Sequence, residues 1–187
     1  PTENHAIFGG RILKAKLNGA KLVVVDPRQS RLAKLADLHL PLKLGSNIAL
    51  ANGLLHLIFR EGWDAKDFLS ARVDNVDTLK AQVAAFTPEL TASITGIHPD
   101  NLRRFADLYA HSPAAFLCYG RGITQFASGT NNVIALSNLV LSCGQIGRPG
   151  TGINPLRGQN NVQGACDMGC LPNVYPGYQP VADAAVR

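Results

Sequence analysis

One arginine stands apart from the other cations of this 187-residue chain. Arg157 is the only lysine or arginine between Arg148 and Arg187, and it lies within residues 156–161, LRGQNN. A guanidinium can donate two parallel hydrogen bonds to a carboxylate or a phosphate. Because glycine and amide side chains surround it, Arg157 is a candidate for binding an anion, with a solvated surface arginine as the alternative.

Polar residues and glycines follow predicted strands at three further points. Asp26 follows the β-branched run at 21–25, where an acid of a dinucleotide fold accepts hydrogen bonds from ribose hydroxyls; the alternative is that it caps the next helix. Residues 45–47, GSN, open a helix whose N–H groups either bind a pyrophosphate or are served by an ordinary N-cap. Residues 120–125, GRGITQ, resemble the start of a G-x-G-x-x-G turn with glutamine last. Together these positions favour a nucleotide-type ligand at the carboxyl ends of parallel strands.

Cysteines and histidines do not complete an active site in this chain. Cys118 falls in a predicted strand and Cys143 on an apolar helix, so we interpret both as packing residues. Cys166 and Cys170 lie four residues apart in a predicted loop, but the four cysteines lack the C-x-x-C spacing of a structural zinc site. The five histidines are scattered, and no nucleophile is paired with a base. We therefore assign no metal ligand and expect the chain by itself to lack a complete active site.

Alternating helices and strands position these candidates. The apolar spacing predicts helices over 4–17, around 32–35 and over 48–58, further helices within 64–111, and one over 131–143. Strands are predicted over 21–25, 38–42 and 114–119, and the run KLVVV at 21–25 is typical of a strand buried on both faces. Strands that alternate with helices indicate a parallel sheet with helices on both faces, so the predicted fold class is α/β.

The composition changes beyond Gly144. Seven glycines punctuate residues 144–169, asparagine and glutamine crowd residues 154–163, and no amphipathic pattern continues, so we predict a long loop. Amide side chains offer donors and acceptors together, and glycines let backbone N–H groups approach a ligand closely. The segment therefore suits a large heterocycle rich in hydrogen-bonding groups. We divide the chain into a domain at 1–150 and a second segment, rich in Gly, Asn and Gln, at 151–187.

Composition and charge exclude several classes of protein. A hydrophobic fraction of 46% excludes disorder as the default, and no apolar run approaches the roughly 20 residues of a membrane-spanning helix. The net charge of +5 is uneven, with eight Lys/Arg against three Asp/Glu in residues 1–47 and four against seven in residues 48–100. No Lys/Arg cluster is interleaved with aromatic residues, so we expect a small anionic ligand in place of nucleic acid. Because the chain starts at Pro1 and holds a single methionine, we expect it to come from a longer polypeptide.

Two long motifs resemble a known family. Residues 154–169, NPLRGQNNVQGACDMG, and 175–179, YPGYQ, resemble the catalytic subunit of molybdenum- or tungsten-dependent formate dehydrogenases, which belong to the molybdopterin oxidoreductases. Residues 26–28, DPR, 45–47, GSN, and 120–126, GRGITQF, are similar to the cofactor-binding turns of that family and follow the same order. The resemblance covers essentially the whole chain but only part of a typical catalytic subunit.

The resemblance implies a cofactor and a set of residues that hold it. It implies a Rossmann-like domain at 1–150 that binds one of two molybdopterin guanine dinucleotides, with Mo or W as the metal, and a cofactor and substrate loop at 151–187 that leads to the next domain. Arg157 is implied as the residue that orients formate during two-electron oxidation to CO2. The implied cofactor-binding residues are Glu3 on the first helix, Asp26, Pro27, Arg28, Gly45, Ser46, Asn47, Gly122, Gln125 and Gln159. A 4Fe-4S cluster and the metal-ligating residue are implied for the part of the subunit that precedes Pro1.

The same resemblance implies partners. They are formate, the remaining domains of the same subunit and electron-transfer subunits, with no nucleic acid and no membrane contact by this segment. We expect a cytoplasmic location and leave a periplasmic one open. The alternatives are another molybdopterin oxidoreductase such as a nitrate reductase, a non-catalytic family member of a respiratory or hydrogenase complex, and a free nucleotide-binding module.

Overall fold

The computed structural model describes residues 1–186. These residues contain ten helices and six short strands. The helices are α1 (Ala6–Leu17), α2 (Arg31–Leu35), α3 (Asn47–Glu61), α4 (Lys66–Arg72), α5 (Val76–Val83), α6 (Pro88–Thr95), α7 (Pro99–Ala110), α8 (Arg121–Thr124), α9 (Gly129–Ser142) and α10 (Val162–Asp167). The strands are β1 (Val23–Val25), β2 (Leu38–Leu40), β3 (Phe116–Tyr119), β4 (Gly152–Pro155), β5 (Val174–Tyr175) and β6 (Gln179–Pro180). Among the helices of these residues, none combines the length and the apolar composition that crossing a bilayer requires.

The strands form three separate two-stranded sheets within residues 1–186. β1 pairs with β2 in parallel, with Val25 opposite Leu40, and β3 pairs with β4 in parallel, with Tyr119 opposite Pro155. β5 and β6 form a short antiparallel hairpin. The predicted alternation of helices with parallel strands is confirmed, but one continuous parallel sheet does not form within these residues, because no further strand in them joins the two pairs.

Helix α3 is the centre of the hydrophobic core. Its apolar residues follow helical spacing, and eight of its fifteen residues are buried. It contacts α5, α6, α7 and α9, and Leu54, Leu55 and Ile58 are almost fully buried among them. The helix ends at Gly62, whose φ of +69° suits the left-handed conformation of a helix C-terminus. A sequence rich in leucine and alanine therefore makes α3 the helix around which α5, α6, α7 and α9 pack, while α7 contacts β2 and α9 contacts β4.

The predicted burial of the first strand on both faces is wrong. Val23 and Val24 are half-buried, and Val25 is 38% exposed. On α1, Ile7 and Leu17 are 81% and 87% exposed. Within residues 1–186 the main neighbours of β1 are β2 and α2, which leave part of its apolar surface uncovered. A run of valines indicates how much apolar surface a strand offers, whereas burial depends on which elements pack against it.

The segment beyond Gly144 is more regular than the predicted loop. Residues 152–155 form β4, residues 162–167 form α10, and the β5–β6 hairpin follows. β4 contains glycine and proline and has no strand pattern of its own, yet the backbone of β3 provides it with a parallel partner. This pairing crosses the division placed at residue 150, and that division stays a prediction.

Candidate functional site

A cleft of about 180 Å³ lies where β3 and β4 end. Because the two strands are parallel, the turn after β3 and the loop after β4 leave the sheet at the same edge. Gln125, Arg157 and Gln159 line the cleft together with Arg121 and Gly158. Among the residues that the structure describes, no acidic residue lines it. Residues that lie more than 30 positions apart in the sequence thus form one cationic site.

A hydrogen bond joins the two sides of this cleft. Nη2 of Arg121 donates to Oε1 of Gln159 over 3.0 Å. Gly158 lies beside this bond, and a Cβ atom at position 158 would overlap the guanidinium of Arg121. The absence of a side chain at residue 158 therefore lets the guanidinium reach Gln159 across the loop.

Arg157 carries an uncompensated charge. Its side chain is exposed, and within residues 1–186 it has no hydrogen bond or ion pair to an acidic group. All N–H groups of a guanidinium are hydrogen-bond donors, and it has no acceptor. The side chain is thus available to bind an anion that enters the cleft.

Gly122 lies outside the cleft lining. It belongs to α8, a single helical turn directly after β3, and it is exposed with open space around the position of a Cβ atom. Asn132 on α9 holds this turn in place, because its side-chain Nδ2 donates to the carbonyl of Ile123 over 2.8 Å. Gly129 packs so closely on the carbonyl of Thr124 that a Cβ would overlap it. A role of Gly122 in cofactor binding stays a prediction.

The second candidate region lies at the carboxyl ends of β1 and β2. The backbone N–H of Arg28 donates to Oδ1 of Asp26 over 2.8 Å, and Nε of the same arginine lies 3.9 Å from that oxygen. Asp26 does not cap the following helix, because Ser30 occupies the N-cap of α2 and accepts a hydrogen bond from Ala33 N–H. The helix-cap alternative for Asp26 is therefore wrong. Its Oδ2 has no hydrogen-bond partner within residues 1–186, and Pro27 beside it is exposed.

Helix α3 follows the carboxyl end of β2 after the connecting residues 41–46. Gly45 has a φ of +82°, a conformation that glycine adopts without strain, and it turns the chain into the helix. The hydroxyl of the buried Ser46 donates to the carbonyl of Lys43 over 2.6 Å, so it does not cap the helix. The ordinary N-cap alternative for residues 45–47 is therefore wrong. The first N–H groups of α3, beginning at Asn47, have no side-chain cap and retain the positive end of the helix dipole.

Glu3 lies apart from the other candidates of this region. It was expected on the first helix, but α1 begins at Ala6, and Glu3 is exposed in the turn that precedes it. Within residues 1–186, no hydrogen bond or ion pair links Glu3 to Asp26 or Arg28. The expected place of Glu3 on the first helix is therefore wrong, and its role in cofactor binding stays a prediction.

The cysteines are separate from both regions. Burial raises the pKa of the Cys143 thiol to about 12, and burial also raises the pKa of Cys118 on β3. Both are therefore neutral packing residues at physiological pH. Cys166 lies half-buried on α10, whereas Cys170 is exposed after it. In the part of the chain that the structure describes, no three His, Cys, Asp or Glu side chains lie together as a group that could hold a metal ion.

Comparison with known proteins assigns the chain to a family. The family model described as "Molybdopterin oxidoreductase" matches residues 1–185. The chain belongs to the molybdopterin oxidoreductase family. Formate dehydrogenase H of Escherichia coli strain K12 is 44% identical over 187 residues, which are 100% of this chain and 26% of that protein. The alpha subunit of a formate dehydrogenase of Methanococcus maripaludis is 46% identical over 179 residues, which are 96% of this chain and 27% of that protein.

A solved structure of the same fold is acetylene hydratase from Pelobacter acetylenicus. Its TM-score is 0.72 at 28% identity, and the match covers 79% of this chain and 20% of that one. The chain therefore spans about a quarter of the length of these molybdopterin oxidoreductase relatives. Because relatives of this fold carry names for different reactions, the side chains of the cleft must carry the argument for function.

Arg121 is the residue of the cleft that sequence reasoning does not select. The motif at 120–125 draws attention to Gly122 and Gln125, since glycines and the final position define the turn. The signal that could identify Arg121 is its place directly after β3. This signal points to the cleft only if β4 is known to lie next to that strand. Only the pairing of β3 with β4 brings Arg121 to Gln159 in this molybdopterin oxidoreductase.

Proposed function

We propose that this chain is the part of a formate dehydrogenase catalytic subunit that holds a molybdopterin guanine dinucleotide and supplies Arg157 to bind formate. The observation that carries the proposal is the cleft at the ends of β3 and β4, where Gln125, Arg157 and Gln159 meet without any acidic residue. The naming of close relatives as formate dehydrogenases supports the same substrate. When bound, a molybdopterin with Mo or W supplies the two-electron redox chemistry.

The edge of β1 and β2 fits the nucleotide end of such a cofactor. Parallel pairing of Val25 with Leu40 brings Asp26 and the start of α3 to one edge, as in the nucleotide sites of Rossmann-like folds. In the proposed arrangement, the free Oδ2 of Asp26 accepts hydrogen bonds from guanosine, with Pro27 and Arg28 beside it. The uncapped N–H groups at the start of α3, beginning at Asn47 directly after Gly45 and Ser46, bind phosphate oxygens, because they carry the positive end of the helix dipole.

The cleft at the ends of β3 and β4 fits the reacting end. Gln125 and Gln159 offer amide groups that can hydrogen-bond the pterin, and the second N–H of the Gln159 amide is left for an anion beside Arg157. Gly122 precedes Gln125 in the same turn. The Arg157 guanidinium matches a carboxylate with two parallel hydrogen bonds, so it fixes the orientation of formate. Its positive charge also offsets the negative charge of the substrate in a site where no acid competes. Arg157 would thus bind and orient the substrate, and the two amides would hold the pterin beside it.

We place the other parts of the machinery in the remaining three quarters of the relatives' length. These parts are the 4Fe-4S cluster, the metal-ligating residue and the surfaces for electron-transfer subunits. The 187 residues alone are therefore expected to be inactive, and we propose a cytoplasmic location for the parent protein.

The test is anaerobic, formate-dependent reduction of a viologen dye by the full-length parent protein, with metal content measured on the same sample. Arg157→Lys keeps the positive charge but loses the planar fork, so we expect turnover to fall by about tenfold to a hundredfold, the loss of about 1.5–3 kcal/mol from a charged hydrogen bond. Metal content should stay unchanged. The matched control is Arg11→Lys, at an exposed arginine on α1, which should leave turnover unchanged. Full turnover in Arg157→Lys would remove this arginine from the mechanism.

A further inference from the structure

We infer that Arg121 is a positioning residue for Gln159, and that the two side chains make their side of the cleft, next to Arg157, a surface of hydrogen-bond donors. The inference deepens the proposed function, on which it rests, by specifying the ligand class. The cleft takes a small planar monoanion that offers acceptors only.

The orientation of Gln159 follows from the chemistry of its partner. A guanidinium has donors and no acceptor, so the atom of Gln159 that faces Arg121 must be the amide oxygen. The 3.0 Å contact between Nη2 of Arg121 and Oε1 of Gln159 is consistent with this assignment. With its oxygen bound to Arg121, the amide of Gln159 has both of its N–H donors left for a ligand of the cleft.

The remaining polar side chains of the loop point to the same ligand class. Arg121 and Arg157 both line the cleft, and neither can accept a hydrogen bond. Among residues 1–186, no carboxylate lines the cleft that could accept a proton from a ligand. A deprotonated carboxylate can accept hydrogen bonds from these donors on both oxygens, whereas a protonated acid would place its O–H among the donors of Arg121 and Arg157.

The structure also explains why Arg121 keeps its position. Gly158 leaves open the space through which the guanidinium reaches Gln159. The turn that carries Arg121 is anchored by the buried Asn132 and by the packing of Gly129 on Thr124. Without Arg121, the amide of Gln159 would be free to rotate and present its oxygen to the ligand, which would repel an anion.

The test uses the full-length parent protein and four variants: Arg121→Met, Arg121→Lys, Gln159→Met and the double variant Arg121→Met with Gln159→Met. Arg121→Met removes the donor and the charge, so we expect the KM for formate to rise about tenfold while kcat changes less than about twofold. Arg121→Lys keeps a donor for the amide oxygen and should stay within about threefold of the wild-type KM. In the Gln159→Met background, Arg121→Met should change KM by less than about threefold, because the residue acts through Gln159.

A second readout does not depend on formate turnover. Nitrate is a planar monoanion with acceptors only, and bound nitrate should raise the melting temperature of the oxidised wild-type protein above the value in equal chloride. Arg121→Met should lose most of that rise, and Arg11→Met, at the exposed arginine on α1, should keep it. If the wild-type protein fails to oxidise formate but shows this pattern with nitrate, the proposed substrate is wrong and the role of Arg121 stands.

Four results would overturn the inference. The first two concern the rise in melting temperature with nitrate: it is equal in wild type and Arg121→Met, or it is absent in the wild type. The third is a KM for formate that rises as much in Arg121→Lys as in Arg121→Met. The fourth is an equal rise in KM from Arg121→Met in the wild-type and the Gln159→Met backgrounds.

Discussion

A methyl group at position 158 should detach Arg121 from Gln159 without unfolding the protein. A Cβ there would overlap the guanidinium, which is the far end of a flexible side chain and can swing into solvent. Gly158 does not have a left-handed φ, so alanine at this position introduces no backbone strain. Gly158→Ala should therefore change the free energy of unfolding by less than about 1 kcal/mol, the range of an ordinary surface substitution.

The expected rise in the KM for formate can be calculated from the hydrogen bond between Arg121 and Gln159 that is lost. A hydrogen bond to a charged group contributes about 1.5–3 kcal/mol, but Arg121 and Gln159 are both exposed, so we expect about 1 kcal/mol. That loss corresponds to a rise of about fivefold in the KM for formate. The rise should be smaller than that of Arg121→Met, because Gly158→Ala keeps the positive charge near the cleft.

The assay compares formate kinetics and thermal unfolding of the full-length parent with those of Gly158→Ala. The matched control is Gly10→Ala, at an exposed helical glycine where a Cβ meets nothing within 4 Å, and it should leave KM unchanged. In the Arg121→Met background, Gly158→Ala should add nothing, since the bond that it breaks is already absent. A wild-type KM in Gly158→Ala, or a strong loss of stability, would refute the reasoning.

Two further predictions concern stability and thiol chemistry. The N–H of Leu22 and the ammonium of Lys16 donate to Asp37 and lower the pKa of its carboxyl from 3.8 to about 2, so this group stabilises the fold above pH 3.8 and loses its effect as the pH falls towards 2. Asp37→Asn should lower the melting temperature at neutral pH, and the difference from wild type should vanish near pH 2; a constant difference across that range would contradict the assignment. At pH 8, iodoacetamide should alkylate the exposed Cys170 but not Cys143, whose burial raises its pKa to about 12, and mass spectrometry of digests should find both modified only after unfolding in guanidinium. Alkylation of Cys143 in the folded protein would show that its surroundings are open.

Long periodic segments were predictable because they determine their own conformation. The apolar spacing predicts α3 and α9, and both form close to the expected residues. The placement of Asp26 directly after β1 and of residues 45–47 at the start of α3 was also predictable, since an apolar run followed by a turn locates the end of one element and the start of the next. The carboxyl ends of β1 and β2 lie at one edge because the two strands are parallel, as alternation with helices indicates.

The strand β4 and the burial of β1 were not predictable from local pattern. The residues of β4 include glycine and proline, which are depleted in strands, and the strand exists because β3 provides its hydrogen-bonding partner. Valine is a typical strand residue, yet the exposure of Val25 depends on which elements cover it within residues 1–186. In both cases the deciding interaction comes from residues far away in the sequence.

The sequence by itself determined the long helices, the first three strands, their order and the identity of the charged group in the loop. A lone arginine among glycines and amides identifies Arg157 as a candidate anion ligand because its chemistry is independent of its neighbours. The tertiary structure alone decided that Arg121 meets Gln159, that Gly158 leaves room for this contact, and that the alternatives for Asp26 and Ser46 are wrong. A hydrogen bond of this kind forms only when the distance between donor and acceptor is right to within a few tenths of an ångström. Between residues far apart in the chain, only the packed fold sets that distance.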